Sequence, residues 1–168
     1  MQWVTRERPK IDRIACPWLI RRFIDPDAVI RYVAPDQVLF VAQQEGAVAF
    51  DVPGVELTHR GPLCSFDAFL DKYGLDDPAL HALAKIVRAA DTDTLQECAQ
   101  APGLLAISLG LCANIRDDQE LLAAGMVVYD GLYTWCRTLR SERHGWGERV
   151  PQQEDLGIHN QVRGAGNE

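Results

Sequence analysis

The stretch WVTRERPKIDRIACPWLIRRFIDPDA, residues 3–28, determines how the predicted fold begins. Its first residues are strand-like, and apolar side chains then recur at helical spacing through residues 12–24. Asp12 is the expected N-cap of this helix. Pro17 removes one backbone hydrogen bond within it, so we expect either a kink or a later start of the helix. The stretch therefore predicts a short strand followed by a helix.

Short strand-like and helix-like segments alternate onward to about residue 60. Residues 29–33, 47–52 and 55–59 are apolar runs typical of strands, and residues 35–44 form a helical segment that Gly46 ends. The order of these segments predicts about βαβαββ in one small sheet.

Helices are predicted for the rest of the folded chain. Capping residues, Pro or Gly delimit segments at about residues 65–73, 77–91, 104–111 and 117–139. The last is apolar on most sides and is the expected central buried helix. The fold class is α+β, with a small N-terminal sheet and interleaved helices followed by a helical C-terminal half, in a single domain over residues 1–140. Residues 141–168 are polar and predict a tail.

Composition narrows the class of protein. The chain has 168 residues, a net charge of -7, 47% hydrophobic and 24% charged residues, which are globular values. An acidic protein is a poor ligand for nucleic acid or an anionic membrane. The start of the chain is charged and no apolar run approaches about 20 residues, so we expect a cytoplasmic protein. Five cysteines without a CxxC pair predict neither a disulfide framework nor a zinc ribbon.

The first 31 residues are basic in this acidic chain. They carry seven basic and four acidic side chains, a net +3 against -10 for the remainder. Arg6, Lys10 and Arg13 are close in sequence near a predicted helix start, so they are candidate ligands for a tetrahedral dianion. Alternatively, these side chains pair with carboxylates elsewhere in the fold.

Two polar residues at apolar positions are candidate metal ligands. His59 follows Val55 and Leu57 on one face of a predicted strand, where it is either a hydrogen-bonded core residue or a ligand. Asp91 falls within the apolar stripe of its predicted helix, where a lone carboxylate is costly. Its partner is a metal ion, a helix terminus or an arginine, and Arg88 lies one turn earlier.

The loop after His59 adds a thiol and a carboxylate, Cys64 and Asp67. Histidine with carboxylates suits Zn, Mn or Fe, and a thiolate ligand would favour Zn. Alternatively, Asp67 lies in the first turn of its helix, where a negative charge interacts favourably with the helix dipole. Among the cysteines, Cys16 is the candidate reactive thiol, because a helix start and nearby basic residues lower a thiol pKa. Its alternative is a small core residue.

Three blocks of the sequence resemble the chromate-resistance family, specifically the C-terminal domain of ChrB-type proteins. They are the opening stretch, residues 3–28, then FDVPGVELTHRGPLCSFDAFL at residues 50–70 and IVRAADTD at residues 86–93. The resemblance covers about residues 3–140. It implies His and acidic site positions at His59, Asp67 and Asp91, and a histidine in many relatives where this chain has Arg88.

The resemblance implies a role in chromate resistance and leaves several functions open. The first is a domain that binds a divalent metal, the chromate oxyanion or both, in sensing or detoxification. The second is a metal- or thiol-dependent redox enzyme acting on chromate or reactive oxygen species. The third is a regulatory interaction domain without its own DNA-binding part. The expected partners are a small oxyanion and a second copy of the chain in a homodimer.

Overall fold

The computed structural model describes residues 1–142, so the predicted tail lies outside the described residues from residue 143 onward. The predicted α+β fold is confirmed. A small parallel sheet with helices occupies the N-terminal half and helices form the rest. The strands are β1 (Gln2–Arg6), β2 (Val29–Val33) and β3 (Val48–Ala49). The α-helices are α1 (Asp12–Leu19), α2 (Val38–Glu45), α3 (Ser65–Tyr73), α4 (Pro78–Asp91), α5 (Ala101–Asn114) and α6 (Asp118–Thr134). No helix of residues 1–142 is both long and apolar enough to cross a membrane.

The sheet has the order β2-β1-β3, with both neighbours parallel to β1. Parallel strands need crossover connections, and α1 and α2 supply them. The predicted fourth strand at residues 55–59 is wrong. This segment contributes only one bridge, between Phe50 and Leu57, because the turn after Phe50 leaves a loop instead of a paired strand. That loop brings His59 close to the start of α1.

Pro17 lies inside α1 and cannot donate a backbone hydrogen bond to the carbonyl four residues earlier. The helix α1 is followed by a π-helical turn at Ile20–Ile24. The carbonyl of Arg13, four residues before Pro17, accepts a hydrogen bond from the Tyr32 hydroxyl at 2.7 Å. A strand side chain thus satisfies the acceptor that the proline leaves open.

Helix α1 occupies the centre of the molecule, with seven of its eight residues buried. Trp18 packs against rings from α3 and α6, with centroid distances of 6.5 Å to Phe66 and 5.5 Å to Tyr133. The prediction that residues 117–139 form the central buried helix is wrong, because α6 buries one face only and Val127 on it is 71% exposed. Through Trp18, α1 therefore packs against both α3 and α6.

Candidate metal centre

Asp12 lies at the start of α1 and is 1% exposed. The sequence predicted Asp12 as the N-cap of α1. In the structure the N-cap is Ile11, and Asp12 is the first residue of the helix. Its Oδ2 accepts a hydrogen bond from the Ser65 amide at 2.6 Å, whereas its Oδ1 has no hydrogen-bond partner among the described residues. Burial raises the pKa of this carboxyl, because a charged carboxylate loses its hydration. Asp12 therefore lacks part of the compensation that a buried charge needs.

His59 and Asp91 meet Asp12 at this point. The His59 imidazole Nε2 lies 3.0 Å from Asp91 Oδ2 and 3.4 Å from Asp12 Oδ2. Asp91 is the last residue of α4, where the helix dipole disfavours a negative charge. One potential ligand atom from each of these three residues lies within 4.8 Å of the other two. We call Asp12, His59 and Asp91 the acidic triad.

The electrostatics of the acidic triad favour a positive charge. The pKa of His59 is raised to about 9, first by its hydrogen bond to Asp12 and then by the nearby carboxylates, against the opposing effect of burial. The pKa of Asp91 is raised to about 7 by burial and then by the negative charges of Asp12 and Asp51. The carboxylates therefore repel one another, and His59 is the only cation of the triad.

Asp51 is a third carboxylate, at the edge of the triad, and it pairs with two arginines. Its Oδ2 lies 2.8 Å from an Arg6 guanidinium nitrogen and 3.4 Å from Arg13 Nε. Its Oδ1 accepts a hydrogen bond from the Ser65 hydroxyl at 2.8 Å and lies 3.6 Å from His59 Nε2. Both arginines thus pair with Asp51, and His59 is the cationic side chain that contacts Asp12 and Asp91.

The predicted anion ligands occupy different environments. Arg6 and Arg13 both pair with Asp51, and an Arg13 guanidinium nitrogen also donates to the Glu7 carbonyl at 2.8 Å. Lys10 is exposed and makes no ion pair among residues 1–142. This placement favours the alternative in which the N-terminal arginines neutralise carboxylates of the fold, and a dianion site stays a prediction.

Asp67 and Cys64 are not part of the cluster of Asp12, His59 and Asp91. Asp67 pairs with Arg88 through two hydrogen bonds of 2.9 and 2.6 Å and accepts one from the Cys64 amide at 3.0 Å. Arg88 therefore neutralises Asp67, not Asp91 as the sequence alternative proposed. Burial raises the pKa of the Cys64 thiol, so a thiolate ligand is disfavoured.

Cys16, the candidate reactive thiol, is completely buried in the core. Burial, and next the charge of Asp12, raise its pKa well above the usual value. The thiolate is the reactive form, so this position favours the alternative of a small core residue.

Sequence reasoning missed Asp12 and Asp51, although each carried a signal. Asp12 was explained as an N-cap, yet it precedes Ala15 and Leu19 by three and seven residues and so shares their buried helical face. Asp51 lies in the apolar run of residues 47–52, where a carboxylate needs a partner.

The donor set fits a divalent metal ion. One imidazole nitrogen and two carboxylates are ligands for Zn, Mn or Fe, and among residues 1–142 Asp12 Oδ1 is a buried acceptor without a hydrogen-bond partner. The His59 side chain is 39% exposed, so one side of the triad faces solvent. A three-residue ligand set leaves coordination positions for water or another molecule.

The fold and this cluster define a small α+β domain with a histidine–carboxylate triad at the start of its central helix. The family model described as "ChrB, C-terminal domain" matches residues 3–136. "Protein ChrB" of Cupriavidus metallidurans (strain CH34) is 36% identical over 134 residues, which cover 79% of this chain and 40% of that protein. No solved structure matches the chain.

The chain belongs to the ChrB C-terminal domain family. This membership associates it with chromate resistance, as the sequence resemblance implied. The chain spans about two fifths of the length of the curated relative that it matches.

Proposed function

We propose that this domain binds one divalent metal ion of the Zn, Mn or Fe class through Asp12, His59 and Asp91. The buried Asp12 carboxylate with an unpartnered Oδ1 is the observation that carries the proposal. A cation there would compensate the mutual repulsion of Asp12 and Asp91, which a single imidazolium offsets only in part. Metal binding is then what this domain contributes to chromate resistance.

Metal content and calorimetric titration test this proposal. Protein purified without an affinity tag should bind about one Zn²⁺, Mn²⁺ or Fe²⁺ per chain, and His59→Ala should bind none at the same concentrations. Asp67→Asn is the matched control, because it changes a carboxylate that Arg88 holds. Retention of metal in His59→Ala, or its loss in Asp67→Asn, would overturn the assignment.

A metal-dependent redox enzyme is the second candidate, and the exposure of His59 favours it. An open coordination position allows a small molecule to reach the metal. Superoxide disproportionation needs no separate reductant, so its rate in Mn-loaded and Zn-loaded protein separates catalysis from binding alone. A rate above that of free Mn²⁺, absent with Zn²⁺, would support the enzyme. If neither the Mn-loaded nor the Zn-loaded protein disproportionates superoxide faster than the background, the enzyme is ruled out and the metal-binding domain stands.

A second copy of the chain is the proposed partner of α5. This helix is the only one in residues 1–142 without Asp, Glu, Lys or Arg. Its outward side chains Ile107 and Leu109 are 50% and 46% exposed. Because each chain has a net charge of -7, two copies meet with least repulsion on an uncharged face. In sedimentation equilibrium, the unmodified chain should be a dimer and Ile107→Glu a monomer. A monomeric unmodified chain would refute the proposed dimer.

A further inference from the structure

The residue before Asp12 has a backbone conformation that its side chain disfavours. Ile11 has φ 27° and ψ -97°, and positive φ is a genuine outlier for a β-branched residue. The side chain is buried in the core, with 2% exposed. Such conformations persist only where the surroundings hold them, and they cluster at functional sites.

Two distant helices hold Ile11 from both sides of its backbone. The Ile11 amide donates a hydrogen bond to the Ser108 hydroxyl of α5 at 3.3 Å. The Ile11 carbonyl accepts one from the Tyr129 hydroxyl of α6 at 3.1 Å. Since Tyr129 is itself buried, its hydroxyl has few alternatives to this bond.

The approach of α6 to α1 is close at this level. A methyl group built on Gly125, one turn before Tyr129, would overlap Ile14 Cγ2. Only glycine allows α6 to approach this close, and the closeness brings the Tyr129 hydroxyl to Ile11.

We infer that Tyr129 and Ser108 are positioning residues for the metal ligand Asp12. They hold the Ile11 backbone so that the Asp12 carboxylate is placed beside His59 and Asp91 before a metal ion binds. This inference rests on the proposed metal site and adds to it the two residues, 97 and 118 positions along the chain from Ile11, that fix its geometry. Residues that orient metal ligands affect metal affinity without contacting the metal.

Tyr129→Phe and Tyr133→Phe form a matched pair for testing it. Both tyrosines lie on α6, are buried, and pack against Trp18. Each hydroxyl donates one hydrogen bond, but that of Tyr133 goes to Asp77, at the other end of α4 from Asp91. The two substitutions therefore remove the same atom from the same helix, and only one of them affects the residue that precedes Asp12.

Zn²⁺ titration calorimetry and the visible spectrum of the Co²⁺ form supply the readouts, with the Tm of metal-free protein as the stability reference. Tyr129→Phe should weaken Zn²⁺ binding by about 10-fold or more and alter the Co²⁺ bands. Tyr133→Phe should stay within about twofold of the unmodified chain, even where both variants lower the Tm. Ser108→Ala, a smaller change on α5, should weaken binding in the same direction as Tyr129→Phe.

The outcomes separate this inference from the proposed function. Equal Zn²⁺ affinities and Co²⁺ spectra for Tyr129→Phe, Ser108→Ala and the unmodified chain would overturn the positioning role and leave the metal site standing. An unmodified chain that binds neither Zn²⁺ nor Co²⁺ would overturn the metal site, and the positioning role with it.

Discussion

The negative charges of carboxylates at two sites near α1 are compensated to different extents. Asp130 on α6 accepts hydrogen bonds from Trp18 at 2.7 Å and from Arg22 at 2.9 and 2.7 Å. Asp12 and Asp91 each accept a hydrogen bond from a backbone amide, but within residues 1–142 the only cationic side chain in contact with them is His59. At the first site, Arg22 neutralises the carboxylate. At the second site, the pKa values of Asp12 and Asp91 are raised, and Asp12 keeps a buried oxygen without a hydrogen-bond partner among residues 1–142. This difference is why we propose a cation at the second site and not at the first.

The largest expected effect is the loss of metal in Asp12→Asn. The amide keeps one oxygen for the Ser65 amide but removes the charge that a cation needs. We expect Zn²⁺ affinity to fall at least about 100-fold, since a direct ligand should matter more than the residues that orient it. Asp130→Asn should bind Zn²⁺ as the unmodified chain does. Calorimetric titration of the two variants compares the sites directly, and equal affinities would remove the distinction between them.

The same two substitutions should change the stability of metal-free protein in opposite directions at pH 8. Asp130→Asn leaves Arg22 without its carboxylate and should lower the free energy of unfolding by about 2 kcal/mol. Asp12→Asn removes a buried charge whose ionised form the fold disfavours, so it should raise the free energy of unfolding by about 1 kcal/mol. Urea denaturation measures both. Destabilisation by both variants would contradict the account of Asp12.

The ion pair of Arg88 gives a third comparison of intermediate size. Arg88→Ala and Asp67→Ala each break one bidentate pair that is partly exposed, so each should cost about 1 kcal/mol. In metal-free protein, Asp91→Ala should cost less than either, because burial and the charges of Asp12 and Asp51 disfavour the ionised Asp91 and so offset the loss of its contact with His59. Excess Zn²⁺ should reverse this order by stabilising every variant except Asp91→Ala. If Asp91→Ala and Arg88→Ala lower the free energy of unfolding of metal-free protein equally, the result would favour the alternative in which Arg88 is the partner of Asp91.

The smallest effect is a pH dependence of metal-free stability. The pKa values of His59 and Asp91 are raised in the folded chain to about 9 and about 7. The folded state therefore binds more protons than the unfolded state, and stability falls as pH rises. The loss should begin above about pH 4 for Asp91 and end near pH 9 for His59. The Tm of metal-free protein should thus drop by a few degrees between pH 6 and 9. Excess Zn²⁺ should flatten this slope, and a rising Tm would contradict the account.

The fold was largely predictable because its signals are local. Helical periodicity located the helices, and Pro17 lies within α1, shortly before the π-helical turn that follows it. The strand predicted at residues 55–59 failed because alternation of apolar residues does not show whether a pairing partner exists. Only the tertiary structure shows that a single bridge forms there.

The site was predictable only in part. His59 and Asp91 were identified because each is a polar residue in an apolar pattern, and the structure brings them together. Asp67 was grouped with them because it is near in sequence, but its direction on α3 leads to Arg88. Asp12 was missed because a local explanation, the N-cap, was sufficient until the position of Ser65 was known. Long-range pairing among carboxylates and arginines is not encoded in local spacing.

X-ray absorption at the metal edge tests the central claim most directly, because it reports the ligand atoms of the bound ion. The sample is the Zn²⁺-loaded chain carrying His144→Ala and His159→Ala, which removes the histidines outside the described residues. The account predicts one imidazole and otherwise oxygen ligands at about 2.0–2.2 Å, with this signal lost in Asp12→Asn. A sulfur ligand at about 2.3 Å, or a spectrum unchanged in Asp12→Asn, would contradict the assignment of the metal to Asp12, His59 and Asp91.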